Sequence, residues 1–126
     1  MPALLEHANF TVADPEATAA WMARVFGWHT RWQGEAKAGG FTVHVGEKDT
    51  YLALYRPSGT PVSGPSSYET VGGLNHIAVV VEDLAQTEGA VRDAGFEPHS
   101  HADYEPGERF YFHDDNGIEF EVVAYD

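Results

Sequence analysis

Two histidines and a glutamate carry the first chemical signal in this sequence. His7 and His76 each head an apolar stretch, His7-Ala8-Asn9-Phe10-Thr11-Val12 and His76-Ile77-Ala78-Val79-Val80-Val81, and each lies seven residues before an aspartate, Asp14 or Asp83. Side chains alternate along a strand. If Ala8, Phe10 and Val12 face a helix, then His7, Asn9 and Thr11 face the other way; with Ile77, Val79 and Val81 inward, His76, Ala78 and Val80 face out. In the last apolar stretch Ile118, Phe120 and Val122 form the inward set, so Glu119, Glu121 and Val123 share the open face with the histidines. Two imidazoles and a carboxylate suit a divalent ion with open positions: iron(II), manganese, nickel, cobalt or zinc. The chain has no cysteine, which removes disulfides, thiolate clusters, a copper(I) or iron–sulfur site and a cysteine nucleophile. A lone histidine at a strand start is more often a surface residue than a ligand. Recurrence at two equivalent places is what gives this pair weight.

The elements that must position these residues also recur. After each aspartate the pattern turns helical and ends at a glycine followed by an aromatic, Gly27-Trp28 and Gly95-Phe96. Asp14 and Asp83 are placed as N-caps and the glycines as left-handed C-terminal residues. Ala17, Trp21 and Val25 give the first helix an apolar stripe, and Leu84, Val91 and Ala94 give one to the second. Three strand candidates follow each helix: 29–33, 41–45 and 51–55, then 97–101, 109–113 and 118–123. Asp114-Asp115-Asn116-Gly117 reads as a hairpin turn rather than a calcium loop. Each half therefore reads β-α-β-β-β, and the fold class is α+β with two βαβββ modules in tandem. Module 1 covers 1–56, a Pro-, Gly- and Ser-rich linker 57–72, and module 2 73–126, all within a single domain of 126 residues.

The chain carries 20 Asp and Glu against 7 Lys and Arg, a formal charge of −13. Such a surface repels a phosphate backbone, which argues against a nucleic-acid partner. No apolar run reaches the ~18 residues of a membrane span, and the N-terminal stretch lacks the basic start of a signal peptide, so a cytoplasmic location is expected. Dinucleotide and P-loop glycine patterns and the Gly-x-Ser-x-Gly elbow are absent.

The sequence resembles the vicinal oxygen chelate superfamily, which includes glyoxalases, extradiol dioxygenases, fosfomycin-resistance transferases and bleomycin-resistance proteins. The resemblance spans nearly the whole chain. It rests on His7 with Asp14, on Val25-Phe26-Gly27-Trp28, on Gly73-Leu74-Asn75-His76-Ile77-Ala78-Val79, and on Phe110-Tyr111-Phe112-His113-Asp114-Asp115-Asn116-Gly117-Ile118-Glu119-Phe120-Glu121. It implies paired modules forming an open, cup-shaped mixed sheet, with metal ligands from the first and last strands of each module. His7, His76 and Glu121 match three of those places. The fourth falls near Ala53, where glyoxalase I enzymes are expected to have glutamate, which argues against a true glyoxalase I activity.

What the resemblance implies is a metal-dependent lyase, dioxygenase or transferase acting on a small substrate with vicinal oxygens, in a homodimer. Tyr111 and His44 are then candidates for proton transfer, and Arg109, Tyr51, Tyr55 and Trp32 for substrate binding. The alternative it implies is a metal-free protein that sequesters an aromatic antibiotic or metabolite. His99 and His101 alternate on one strand and read as a solvated edge rather than a second metal clasp.

Overall fold

The computed structural model describes residues 2–64, 66–104 and 107–125. The chain forms two compact units, 1–63 and 64–126, each with one helix and one four-stranded mixed sheet. In the first unit β1 (His7–Thr11) leads into α1 (Pro15–Phe26), followed by β2 (His29–Glu35), β3 (Phe41–Gly46) and β4 (Tyr51–Arg56). The strand order is β1-β4-β3-β2, with β1 parallel to β4 and the remaining pairs antiparallel. The second unit repeats this plan with β5 (His76–Val80), α2 (Leu84–Asp93), β6 (His99–Tyr104), β7 (Gly107–His113) and β8 (Glu119–Tyr125) in the order β5-β8-β7-β6. The α+β class and tandem βαβββ modules are those expected.

Local chemistry sets the helix ends. The Asp14 carboxylate accepts from the Ala17 amide at 3.1 Å and that of Asp83 from the Gln86 amide at 3.0 Å, so each takes a donor that the first turn leaves over. Gly27 ends α1 at φ +75°, where a side chain would be strained, and its N–H reaches the Ala23 carbonyl at 3.0 Å. Among the described residues no helix is long and apolar enough to cross a membrane.

The core of the first unit sets Trp21, Met22 and Val25 of α1 against Val43, Val45, Leu52 and Leu54 of the sheet. That of the second is aromatic: Phe110, Phe112 and Phe120 are fully buried beside Val91 and Val122, with the Phe112 and Phe120 rings stacked at 5.2 Å. Two expectations need correction. Ala17 is exposed, and Thr18, Ala19 and Met22 join Trp21 and Val25 on the buried side of α1. In β1, Ala8 is exposed and Phe10 half-buried, because this edge strand bonds only to β4 while α1 lies over β2, β3 and β4; Val12 just beyond it is buried.

Candidate functional site

In the second unit the parallel pairing of β5 with β8 sets His76 opposite Glu119 and Ala78 opposite Glu121. Glu121 is buried, and both of its oxygens are engaged. Oε1 lies 3.2 Å from His76 Nε2 and Oε2 accepts from Arg109 NH1 at 2.7 Å. Arg109 comes from β7, adjacent to β8, and its side chain is about as buried as that of Glu121. A charge so placed needs a partner of opposite sign. Tyr111, register partner of Glu121, turns its ring edge-on to His76 with centroids 6.1 Å apart. His76 Nδ1 faces the Tyr68 hydroxyl at 3.1 Å, and the same hydroxyl donates to Glu119 Oε1. That bond stabilises the neutral phenol beside a carboxylate, and with desolvation and the Glu119 charge it pushes the Tyr68 pKa up to about 12.

In the first unit His7 stands opposite Tyr51, and Asn9 opposite Ala53. The His7 ring stacks on Tyr51 at 4.8 Å, Tyr51 on His44 at 4.7 Å, and His44 meets Trp32 at 5.2 Å. The Arg31 guanidinium caps the stack 4.4 Å from the Tyr51 centroid. His7 Nδ1 lies 2.9 Å from Glu6 Oε1, which leaves Nε2 as the nitrogen able to bind. Burial holds the His44 pKa below its ordinary value, with the His7 and Arg31 charges adding to the effect and Glu6 opposing it. Tyr55 is turned to another task, since its hydroxyl donates to the Lys37 carbonyl at 2.8 Å.

Thus His76, Glu121, Arg109 and Tyr111 come together on the second unit, and His7, Tyr51, His44 and Trp32 on the first. Ala53 is buried between Leu52 and Leu54 in the register place that Glu121 has in the second unit. The sequence did not single out Tyr68, in a stretch expected to be a linker but falling within the second unit, or the grouping of His99 and His113 with Glu119. His99 and His101 part company because β6 carries an irregularity between His99 and Ala102; His101 turns to Glu88 at 3.1 Å. The register His113 to Glu119 across the β7–β8 hairpin was the available signal.

Comparison with known proteins follows the same lines. The model of the Glyoxalase/Bleomycin resistance protein/Dioxygenase superfamily matches residues 4–122. A glyoxylase/bleomycin resistance protein/dioxygenase domain from Frankia sp. EAN1pec superposes with a TM-score of 0.81 at 17% identity, covering 100% of this chain and 93% of that one. The fosfomycin resistance protein FosX from Mesorhizobium loti gives 0.72 at 23% identity, covering 98% and 92%. FosX from Listeria monocytogenes, in a crystal with Mn(II) and sulfate, gives 0.73 at 17% identity, covering 100% and 95%. No curated protein matches the sequence.

Proposed function

Because the chain belongs to the glyoxalase/bleomycin resistance protein/dioxygenase superfamily, we propose that it is a metal-dependent enzyme acting on a small substrate with vicinal oxygens, with His7, His76 and Glu121 as ligands of one divalent ion. The observation that carries this reading is the 3.2 Å separation of His76 Nε2 and Glu121 Oε1. Two donors each about 2.1 Å from one ion lie roughly 3.0–3.5 Å apart, so this edge fits a coordination polyhedron. The surroundings fit as well. Ligating histidines commonly engage their second ring nitrogen with a carboxylate or other polar group. Here Nδ1 of His7 meets Glu6 and Nδ1 of His76 meets Tyr68, which leaves both Nε2 atoms for the ion. His7 enters the set as the first-unit counterpart of His76, each at the head of a strand paired in parallel with the last strand of its unit.

The bound ion would supply Lewis acidity toward the substrate oxygens. The side chains have separate tasks. Arg109 holds Glu121 Oε2 and so fixes which oxygen is left free. The Tyr111 hydroxyl is proposed as a proton donor, and His44, whose pKa burial lowers, as an acceptor of a proton at a ring nitrogen. Trp32 and Tyr51 offer aromatic surface for substrate, whereas the Tyr55 hydroxyl is committed to the Lys37 carbonyl and the Arg109 guanidinium to Glu121.

A second reading is favoured by the stack of Trp32, His44, Tyr51 and His7 beside an alanine rather than a carboxylate: metal-free sequestration of an aromatic antibiotic or metabolite. Titration of untagged protein with Mn(II) separates the two. The enzyme reading expects an equivalent of Mn(II) whose affinity falls more than about tenfold in each of His7→Ala, His76→Ala and Glu121→Gln. Unchanged Mn(II) affinity in all three, or binding of an aromatic ligand that persists in EDTA and in Glu121→Gln, overturns it.

A further inference from the structure

We propose that the second unit holds another divalent metal site, built from His99, His113 and Glu119 and separate from the pair His76 and Glu121. One ligand atom from each of the three lies within 4.8 Å of the other two. His99 Nε2 and His113 Nδ1 are 3.2 Å apart, and His113 Nε2 lies 3.8 Å from Glu119 Oε2. One imidazole gives an ion a single nitrogen, and these two contacts use opposite nitrogens of His113, so the ring must turn to present one of them to both neighbours. A four-coordinate ion with bonds near 2.1 Å sets its donors about 3.4 Å apart, a spacing the group reaches by that rotation while leaving one position for water.

Three features of the fold prepare the site. The register of the β7–β8 hairpin places His113 directly across from Glu119, so the two residues are held by ladder bonds rather than by a mobile loop. The irregularity in β6 puts Ser100 at φ +56°, a left-handed conformation that a serine takes up at a cost, and from there its Oγ sits 2.8 Å from His99 Nδ1. His99 is thereby oriented with Nε2 toward His113, and the two rings stack with centroids 5.1 Å apart. Tyr68 binds Glu119 Oε1 and leaves Oε2 for the ion, as Arg109 binds Glu121 Oε2 and leaves Oε1. The His113 side chain is half exposed and that of Glu119 is 19% exposed, so an ion can enter without a buried path.

Two imidazoles and one carboxylate select a borderline ion of the zinc type over magnesium or calcium, which prefer all-oxygen shells. The first unit has no equivalent, because the matching register pair there is Gly46 and Tyr51. The site is thus a feature of one module and not of the repeat.

Zn(II) and Co(II) titration of the untagged full chain tests this. Wild type is expected to bind one equivalent that His113→Asn and, separately, His99→Gln weaken more than about tenfold, and that His76→Ala leaves in place. Loss of an equivalent in His76→Ala alone concerns the other site, so failure of either assignment shows independently. Because His113→Asn touches a hairpin strand, a readout in wild type accompanies it: imidazole 15N resonances of His99 and His113 should shift on addition of one Zn(II). Unchanged Zn(II) affinity in both variants, or imidazole resonances that stay put, leaves a hydrogen-bonded histidine pair only and overturns the proposal.

Discussion

Ala53 occupies the place in the first unit that Glu121 holds in the second: each pairs with the residue two positions beyond the leading histidine, Asn9 or Ala78, in a parallel ladder. The difference extends to a second position. Arg109, which holds Glu121, pairs with Val123, and the residue matching it in the first unit is Thr42, paired with Tyr55. Carboxylate and guanidinium thus occur together in one unit and are replaced together, by alanine and threonine, in the other. Ala53→Glu alone would bury a carboxylate without its cation, at an expected cost of about 3 kcal/mol in denaturant unfolding. Thr42→Arg added to it should recover part of that loss. Equal stability of the single and double variants would show that the two positions are not coupled in this way.

The Arg109–Glu121 pair should behave in the same manner from the other side. Arg109→Leu removes the cation and leaves the carboxylate 10% exposed beside His76, which predicts a loss of about 3 kcal/mol. Arg109→Leu with Glu121→Gln removes both charges and should be the more stable of the two. A double-mutant cycle by urea unfolding reads the coupling directly, and additive effects would contradict it.

Gly46 is needed for close approach rather than for flexibility. A Cβ there would sit 2.5 Å from the Thr50 carbonyl oxygen and 2.6 Å from Tyr51 Cα. Both are backbone atoms that cannot swing away. Gly46→Ala should therefore cost about 1–3 kcal/mol and displace Tyr51 from between His7 and His44. Thermal unfolding reads the first effect, and the His7 and His44 ring proton shifts, set by the Tyr51 ring current, read the second.

How much of this could be read in advance follows from the range of each interaction. The helix ends were legible because Asp14 and Asp83 act on amides three residues away, and the β-α-β-β-β order because apolar alternation repeats twice. The face shared by His76 and Glu121 was legible for the same reason. The ion pair of Glu121 with Arg109 was not, since alternation sorts residues into faces but does not say which neighbours on a face touch. Tyr68 was hidden in a Pro- and Gly-rich stretch whose composition marks a linker; a single 3-10 turn, Ser67–Glu69, brings its hydroxyl to Glu119. The grouping of His99 with His113 was concealed by the irregularity in β6, because a strand that loses its period no longer reports which way its side chains point.

The β7–β8 turn offers a test in which pH carries the sign. Asp114 is 6% exposed, and its Oδ1 accepts from the Asn116 and Ile118 amides at 2.9 and 3.0 Å while Oδ2 accepts from the Asn116 side chain at 3.0 Å. Asp114→Ala leaves these donors without their acceptor and should cost about 2–3 kcal/mol. The carboxyl also titrates above its ordinary 3.8, because burial penalises the charge more than the bonds from Asn116 and Ile118 reward it. The folded form therefore holds this proton more tightly than the unfolded chain does. The associated stability is complete below pH 3.8 and is lost as the pH rises through the higher folded value. Asp114→Asn keeps an acceptor oxygen and carries no charge, so its stability relative to wild type should improve as the pH is raised from 3 to 6 and then level off. Urea unfolding of both proteins across that range measures the difference; a difference that is flat, or that falls with pH, would refute the assignment.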